Sequence, residues 1–214
     1  VRHVVTSSGK YVDFTDSSLS SPSLLYAGSE YVALNVVGGD DDHYFLVIVK
    51  KDGSVQKEKF SNASWSLLAR DGDNIVVAPK AGNSQVVVVK EDGSIVKIGS
   101  KDLDLSEDGV SAQIKKVGTD LFVAVNSNNT TTGDNTGMIR YAKVGVAPSN
   151  INVSSEASNE PSRADYGLDA NGRLYAIDAR GDLAYRIIFA YFDNNNNINI
   201  IHSIDLEEVA ENNL

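Results

Sequence analysis

Two stretches decide how this chain is read: Leu46-Val47-Ile48-Val49-Lys50-Lys51-Asp52-Gly53-Ser54 and Val86-Val87-Val88-Val89-Lys90-Glu91-Asp92-Gly93-Ser94. Each is an apolar run closed by Lys, then Asp-Gly-Ser, then a mixed run. Asp-Gly between two such runs signals a tight hairpin turn. The turn needs a residue at positive φ, which Gly adopts without a Cβ clash. Ser8-Gly9-Lys10, with Val4-Val5 before it and Tyr11-Val12 behind, reads as an earlier copy, so the three glycines stand 44 and then 40 residues apart.

A second turn series interleaves with the first. Ala27-Gly28-Ser29-Glu30 precedes Tyr31-Val32-Ala33-Leu34, and Asp71-Gly72-Asp73-Asn74 precedes Ile75-Val76-Val77-Ala78. Val117-Gly118-Thr119-Asp120 precedes Leu121-Phe122-Val123-Ala124, and Ala170-Asn171-Gly172 precedes Leu174-Tyr175-Ala176-Ile177. These glycines fall 44, 46 and 54 residues apart. Each unit then reads as strand A, glycine turn, strand B, variable loop, strand C, turn, strand D. The units lie near 22–60, 63–102, 110–155 and 162–206, behind an N-terminal hairpin at 3–14. In the third, Gly145 to Asn150 replaces the Asp-Gly turn; in the fourth, Asp193-Asn194-Asn195-Asn196-Asn197 does so with residues that tolerate left-handed backbone.

A period in the forties with four strands per unit resembles β-propeller repeats in general, over nearly the whole chain. The fold class expected is therefore all-β, a propeller-type array of four-stranded antiparallel blades within one domain, 1–214. A β-sandwich is the competing all-β arrangement. The B and C runs, such as Val86 to Val89 and Ile187 to Phe192, are nearly continuous in apolar residues and read as strands covered on both faces. The D runs, such as Val55-Gln56-Lys57-Glu58-Lys59-Phe60, are mixed, as suits an edge strand that charge protects from pairing. The hairpin supplies only strands C and D of a unit, and too little chain follows residue 206 for a matching A–B pair. An incomplete ring is expected, as a fragment or completed by another chain; the start at Val1 suggests a processed product or a piece of a longer polypeptide.

The 214 residues, 42% hydrophobic and 22% charged, have a folded domain's composition. A net charge of −10 without a cationic stripe argues against nucleic acid, whose affinity rests on clustered Lys and Arg, and against an anionic membrane surface. No apolar stretch approaches the roughly 18 residues of a spanning helix, so membrane insertion is not expected. The absence of Cys excludes disulfides and thiolate metal sites.

No catalytic motif, cofactor fingerprint or metal-ligand spacing is present; His3, His43 and His202 have no partner at ligand spacing. Asp40, Asp41, Asp42 and His43 form the densest acidic cluster, in the B–C loop of the first unit. Hard cations favour such oxygens, but a solvated turn accounts for the cluster. Asp102 to Gly109 superficially resembles a calcium loop but fails at its sixth and twelfth positions, Glu107 and Gln113. Arg180-Gly181-Asp182, in the fourth B–C loop, is the tripeptide of integrin ligands and equally an ordinary turn. Asn128 and Asn129 lie in the longest B–C loop, and sequons at Asn62, Asn128, Asn129 and Asn152 are candidate glycosylation positions, although composition alone yields about three. Trp65 reads as core.

Unequal loops on a repeating scaffold are the usual division between framework and binding surface. The expected function is a non-catalytic, exported or cell-surface interaction module that contacts a protein or glycan partner through its B–C loops. The alternative is the propeller portion of a glycan- or peptide-processing enzyme. Its site would lie in a central channel lined by A-strand residues such as Lys115, Arg163 and Asp165.

Overall fold

The computed structural model describes residues 2–9, 11–14, 19–38, 43–61, 64–79, 86–98, 110–127, 138–146, 149–152, 164–179 and 185–205. All regular structure among them is β. A hairpin of β1 (Arg2–Val5) and β2 (Tyr11–Phe14) precedes four antiparallel sheets of four strands each. The first is β3 (Leu19–Ala27), β4 (Tyr31–Gly38), β5 (His43–Lys50) and β6 (Val55–Ser61). The second is β7 (Trp65–Asp71), β8 (Asn74–Pro79), β9 (Val87–Val89) and β10 (Ile95–Lys97). The third is β11 (Val110–Val117), β12 (Asp120–Ser127), β13 (Met138–Lys143) and β14 (Ser149–Asn152). The fourth is β15 (Ala164–Leu168), β16 (Leu174–Ala179), β17 (Tyr185–Phe192) and β18 (Ile198–Asp205). Within every sheet, strands pair in chain order, which is a meander rather than the crossed order of a Greek-key sandwich.

The turns follow the residues that demanded them. Lys50 N–H donates to the Ser54 carbonyl and Gly53 N–H to that of Lys50, both at 2.9 Å, with Gly53 at φ +91°. Lys90 to Ser94 repeats the pattern around Gly93 at φ +75°. In both, the Asp52 or Asp92 carboxylate accepts from the backbone N–H and the hydroxyl of the Ser two residues on. The fourth sheet makes the same five-residue turn twice, at Asp169–Arg173 with Gly172 at φ +73° and at Asp193–Asn197. In the latter, Asn196 takes the left-handed position at φ +61°.

The chain divides into two compact units, Val1–Leu103 and Asp104–Leu214. In the first, one face of sheet one (Tyr31, Ala33, Leu46, Ile48) packs on one face of sheet two (Trp65, Ile75, Val77, Val87, Val89). The opposite face of sheet one (Val32, Leu34, Val36, Val47, Val49) receives Val4 from the β1–β2 hairpin. Ser7 N–H donates to the Gly28 carbonyl and Ser8 Oγ to that of Ser29, fixing the hairpin. In the second unit, Phe122, Ala124, Ile139 and Tyr141 of sheet three pack on Leu174, Ala176, Ile188 and Ala190 of sheet four. Each fully buried aliphatic side chain stabilises by about 1.5–3 kcal/mol, so these faces dominate folding.

Two-sided burial holds where the apolar runs predicted it in the second and third strands of sheets one to three. Residues 31–36, 74–79, 86–89 and 121–125 are buried without alternation. It fails in sheet four. Ile188 and Ala190 of β17 are buried, whereas Phe189 and Tyr191 on its other face are half-exposed.

Candidate functional site

The residues singled out as the binding face lie mostly outside the described residues. Asp40, Asp41, Asp42, Asn128, Asn129, Arg180, Gly181, Asp182 and the sequon Asn62 all fall there, as do Arg163 and the Asp102–Gly109 segment. His43, expected in a loop, instead opens β5 opposite Ser61 and is half-buried. Asn152 ends β14, the outer strand of sheet three, opposite Met138. Lys115 is half-buried on β11 opposite Phe122, and Asp165 is on β15 opposite Ile177. Among the described residues, no group of three or more His, Cys, Asp or Glu side chains is placed to hold a metal ion. Among the described residues, no helix is long and apolar enough to cross a membrane.

The antiparallel meander sorts the connections of each sheet. A–B and C–D turns share one end; the B–C connections leave from the other. Those connections are unequal: 39–42, 80–86, 128–137 and 180–184. The turn end is where the best-defined polar chemistry gathers: part of it closes each turn and part joins one sheet to the next.

In the first unit the centre of this chemistry is Asp73, in the β7–β8 turn. Its carboxylate accepts from Ser29 N–H at 2.7 Å, from Ser29 Oγ–H, and from Tyr26 Oη–H at 2.8 Å. Tyr31 Oη–H donates to the Asp73 backbone carbonyl at 2.8 Å, and Tyr26 Oη–H also reaches the Gly72 carbonyl at 3.0 Å. The Ser29 hydroxyl hydrogen bond, aided by the Ser29 amide and Tyr26, outweighs burial and holds the Asp73 carboxyl below the usual range. Burial, with the negative Asp73 nearby, pushes the Tyr26 and Tyr31 phenols upward, so both stay protonated donors. Gly28 is required here for space rather than for φ: a Cβ would stand 3.3 Å from the Asp73 carboxyl carbon and from two tyrosine rings. Deeper in, the buried Asn35 accepts the Trp65 N–H at 2.8 Å, tying β4 to β7.

In the second unit the centre is Gln113 of β11. Its Nε2 donates to the Tyr166 carbonyl at 3.0 Å, and its Oε1 accepts the Leu168 N–H at 2.9 Å, so one amide closes two backbone groups of β15. Tyr141 Oη–H donates to the Gly172 carbonyl. Gly172 lies against the Phe122 ring, and a Cβ there would overlap it. Asp169 is held low despite burial, because the Arg173 backbone, the Arg173 side chain and the Asn171 amide all donate to it. The Arg173 guanidinium then sits over Phe189, 5.4 Å from the ring centroid.

Asp73 and Gln113 carry this geometry, and sequence reading passed over both. Asp73 was legible only as a turn residue. Its partners, Tyr26, Ser29 and Tyr31, lie more than forty residues away in the previous repeat. What the two units share is a chain of four-stranded meander sheets packed face to face in pairs, each pair latched at its turns. That is a repeated all-β fold resembling β-propeller repeats.

No protein-family model and no curated protein matches the chain. Among solved structures, a chain from a structural and mechanistic study of two prolyl endopeptidases aligns with it at a TM-score of 0.37 and 16% identity. The alignment covers 87% of this chain and 30% of that one.

Proposed function

We propose that the four sheets are consecutive blades of a propeller-type array, and that the array is an exported, non-catalytic interaction scaffold. It would contact a protein or glycan partner through its B–C connections. The observation that carries this reading is the asymmetry between the two ends of each sheet. At the turn end, the Asp52, Asp73, Asp92, Asp169 and Asp193 carboxylates accept hydrogen bonds from turn or neighbouring-sheet groups, so their charge is committed to architecture. At the other end, connections of unequal length and composition leave a shared framework, which is how a rigid scaffold offers variable contacts. The net charge of −10, the abundance of Asn, Ser and Thr and the absence of Cys are the features that suit an exported setting.

The test is replacement of residues 40–42, 128–137 and 180–182, singly and together, by Gly/Ser segments of equal length. Intact chain and variants are then compared on a glycan array and by proximity labelling at the native location. The expected result is loss of a partner in at least one loop variant with an unchanged thermal midpoint. Retention of every partner by the triple variant would remove the loop-face reading. Hydrolysis of peptide or glycoside substrates that disappears in Lys115→Ala or Asp165→Ala would replace it with the enzyme reading.

A further inference from the structure

The chain contains one Asn-Gly pair, Asn171-Gly172, and the fold sets it where sheet four meets sheet three. Asn followed by Gly is the dipeptide most open to a spontaneous backbone reaction, because Gly puts no Cβ in the path of its own amide nitrogen. The Gly172 nitrogen attacks the Asn171 side-chain carbonyl carbon and a C–N bond forms. The Asn171 amide group leaves as ammonia, taking the proton that the Gly172 nitrogen gives up. Water then opens the cyclic imide at either carbonyl. One opening gives Asp; the other gives isoaspartate, whose main chain runs through the side-chain carbon and is one methylene longer. The reaction needs a Gly172 amide free to lose its proton and a backbone free to rotate the two groups together.

The turn at 169–173 denies both. Gly172 N–H donates to the Asp169 carbonyl at 3.0 Å, and Asp169 Oδ1 accepts from Asn171 N–H at 2.8 Å and Arg173 N–H at 2.9 Å. Arg173 Nε–H donates to the other carboxylate oxygen at 2.7 Å. From sheet three, Tyr141 Oη–H donates to the Gly172 carbonyl, and Gly172, at φ +73°, is buried against the Phe122 ring. The pair is therefore fixed within its own turn by Asp169 and across the junction by Tyr141 and Phe122. The Asp193–Asn197 turn of the same sheet repeats the carboxylate clamp, with Asn196 N–H donating to the Asp193 carbonyl at 3.0 Å. There Asn195 is followed by Asn196, whose Cβ hinders the ring closure that Gly172 permits. Only at 169–173 does the clamp enclose a reactive pair.

We infer that Asn171-Gly172 is a deamidation site gated by the junction of sheets three and four. Under the Asp169 clamp and the Tyr141–Phe122 contact it is protected; when the turn opens it is converted irreversibly. Isoaspartate at 171 lengthens the backbone of a five-residue turn whose amides all converge on Asp169, and it displaces the Gly172 carbonyl from Tyr141. The modified turn no longer closes in its old register, so a transient opening of the junction becomes a permanent one. An ordinary Asp at 171 keeps the backbone length and lets the turn close. This inference depends on neither the blade reading nor the loop-face reading.

Peptide mapping by mass spectrometry tests this on the 214-residue chain held at neutral pH, with enzymatic methylation of isoaspartyl groups to mark the product. The same chain unfolded in urea supplies the unguarded rate. The folded chain should convert Asn171 at least about tenfold more slowly, by a factor set by how rarely the junction opens. Tyr141→Phe, which removes the latch hydroxyl and keeps the ring, should raise the folded rate about threefold or more. Asp169→Ala should bring it close to the unfolded rate, and neither variant should change conversion at Asn195. Equal Asn171 rates in folded and unfolded wild-type chain overturn the inference, as does a Tyr141→Phe rate no faster than wild type. If Asp169→Ala unfolds the second unit, Tyr141→Phe decides alone. Hydrogen exchange on the isoaspartyl fraction reads the consequence: protection of the Asp169, Gly172 and Arg173 amides should fall about fivefold or more, with the first unit unchanged. Asn171→Asp should retain that protection. An isoaspartyl fraction as well protected as the unmodified chain overturns the claim that opening becomes permanent.

Discussion

The junction between sheets one and two and that between sheets three and four solve one problem with different chemistry. In each, a tyrosine hydroxyl crosses from the earlier sheet to a carbonyl in the A–B turn of the later one: Tyr31 to Asp73, Tyr141 to Gly172. Tyr31 lies on the second strand of its sheet and Tyr141 on the third of its own, so the latch is reproduced in space without being reproduced in register. The second clamp differs in kind. The first unit uses a carboxylate, Asp73, fed by Ser29 and Tyr26; the second uses a neutral amide, Gln113, feeding Tyr166 and Leu168. Sheet stacking therefore demands a closed polar latch beside the apolar face, but leaves its charge state open. One consequence is that the two junctions should respond differently to acid.

The sharpest way to break the second junction is Gly172→Ala, which forces an L side chain into left-handed backbone and onto the Phe122 ring. A loss of about 3 kcal/mol or more is expected. Gly53→Ala, with the same backbone demand but nothing within 4 Å of its Cβ, should lose only about 1 kcal/mol. Because the chain has two units, hydrogen-exchange mass spectrometry is the proper readout, resolving protection of each unit separately. Equal effects of the two alanines would mean that the Phe122 contact is dispensable.

Next in size is Gln113→Ala, which strands the Leu168 N–H and the Tyr166 carbonyl. It should loosen β15 by about 2 kcal/mol and leave the first unit's exchange unchanged. Gln113→Glu, which keeps the acceptor and loses the donor, should recover the Leu168 amide but not the bond to Tyr166.

Asp73→Asn addresses the charge difference. The folded-state pKa of Asp73 is depressed, so its contribution is present above the unfolded value near ~3.9 and is lost as pH falls through the folded value. Intrinsic-rate-corrected protection of Ser29 should therefore fall on acidification below about pH 4, while that of Leu168 holds. Asp73→Asn should cost about 1 kcal/mol at neutral pH and nothing further in acid. Asp169 is also held low, but its bonds close its own turn, so acid should loosen Asn171 without releasing Leu168. Parallel acid responses at Ser29 and Leu168 would erase the distinction.

Smallest is Asn196→Gly. Asn already tolerates φ +61°, so a change of a few tenths of a kcal/mol is expected in thermal unfolding, with local exchange at Asn197 as the more sensitive probe.

What could be read in advance follows from how local each signal is. Asp-Gly-Ser at 52–54 and 92–94, the Asn run at 193–197 and the apolar runs at 46–49 and 86–89 encode their turns and strands within a few residues. The sheets accordingly appear where their patterns stand. Gly28 stands in the same turn series as Gly72, Gly118 and Gly172, which take positive φ, yet it is small because Asp73, Tyr26 and Tyr31 crowd it, a requirement set by atoms of two sheets. Asp73 and Gln113 read as unremarkable polar residues because their partners sit more than forty residues away. The sequence by itself determined the repeat, its period and its turns, since backbone sterics and hydrophobic alternation act over neighbouring residues. Only the tertiary structure decided which faces are covered. Ile187 to Phe192 is as apolar as Val86 to Val89, but burial of a face depends on what is stacked against it. On sheet four, Tyr175 still faces solvent.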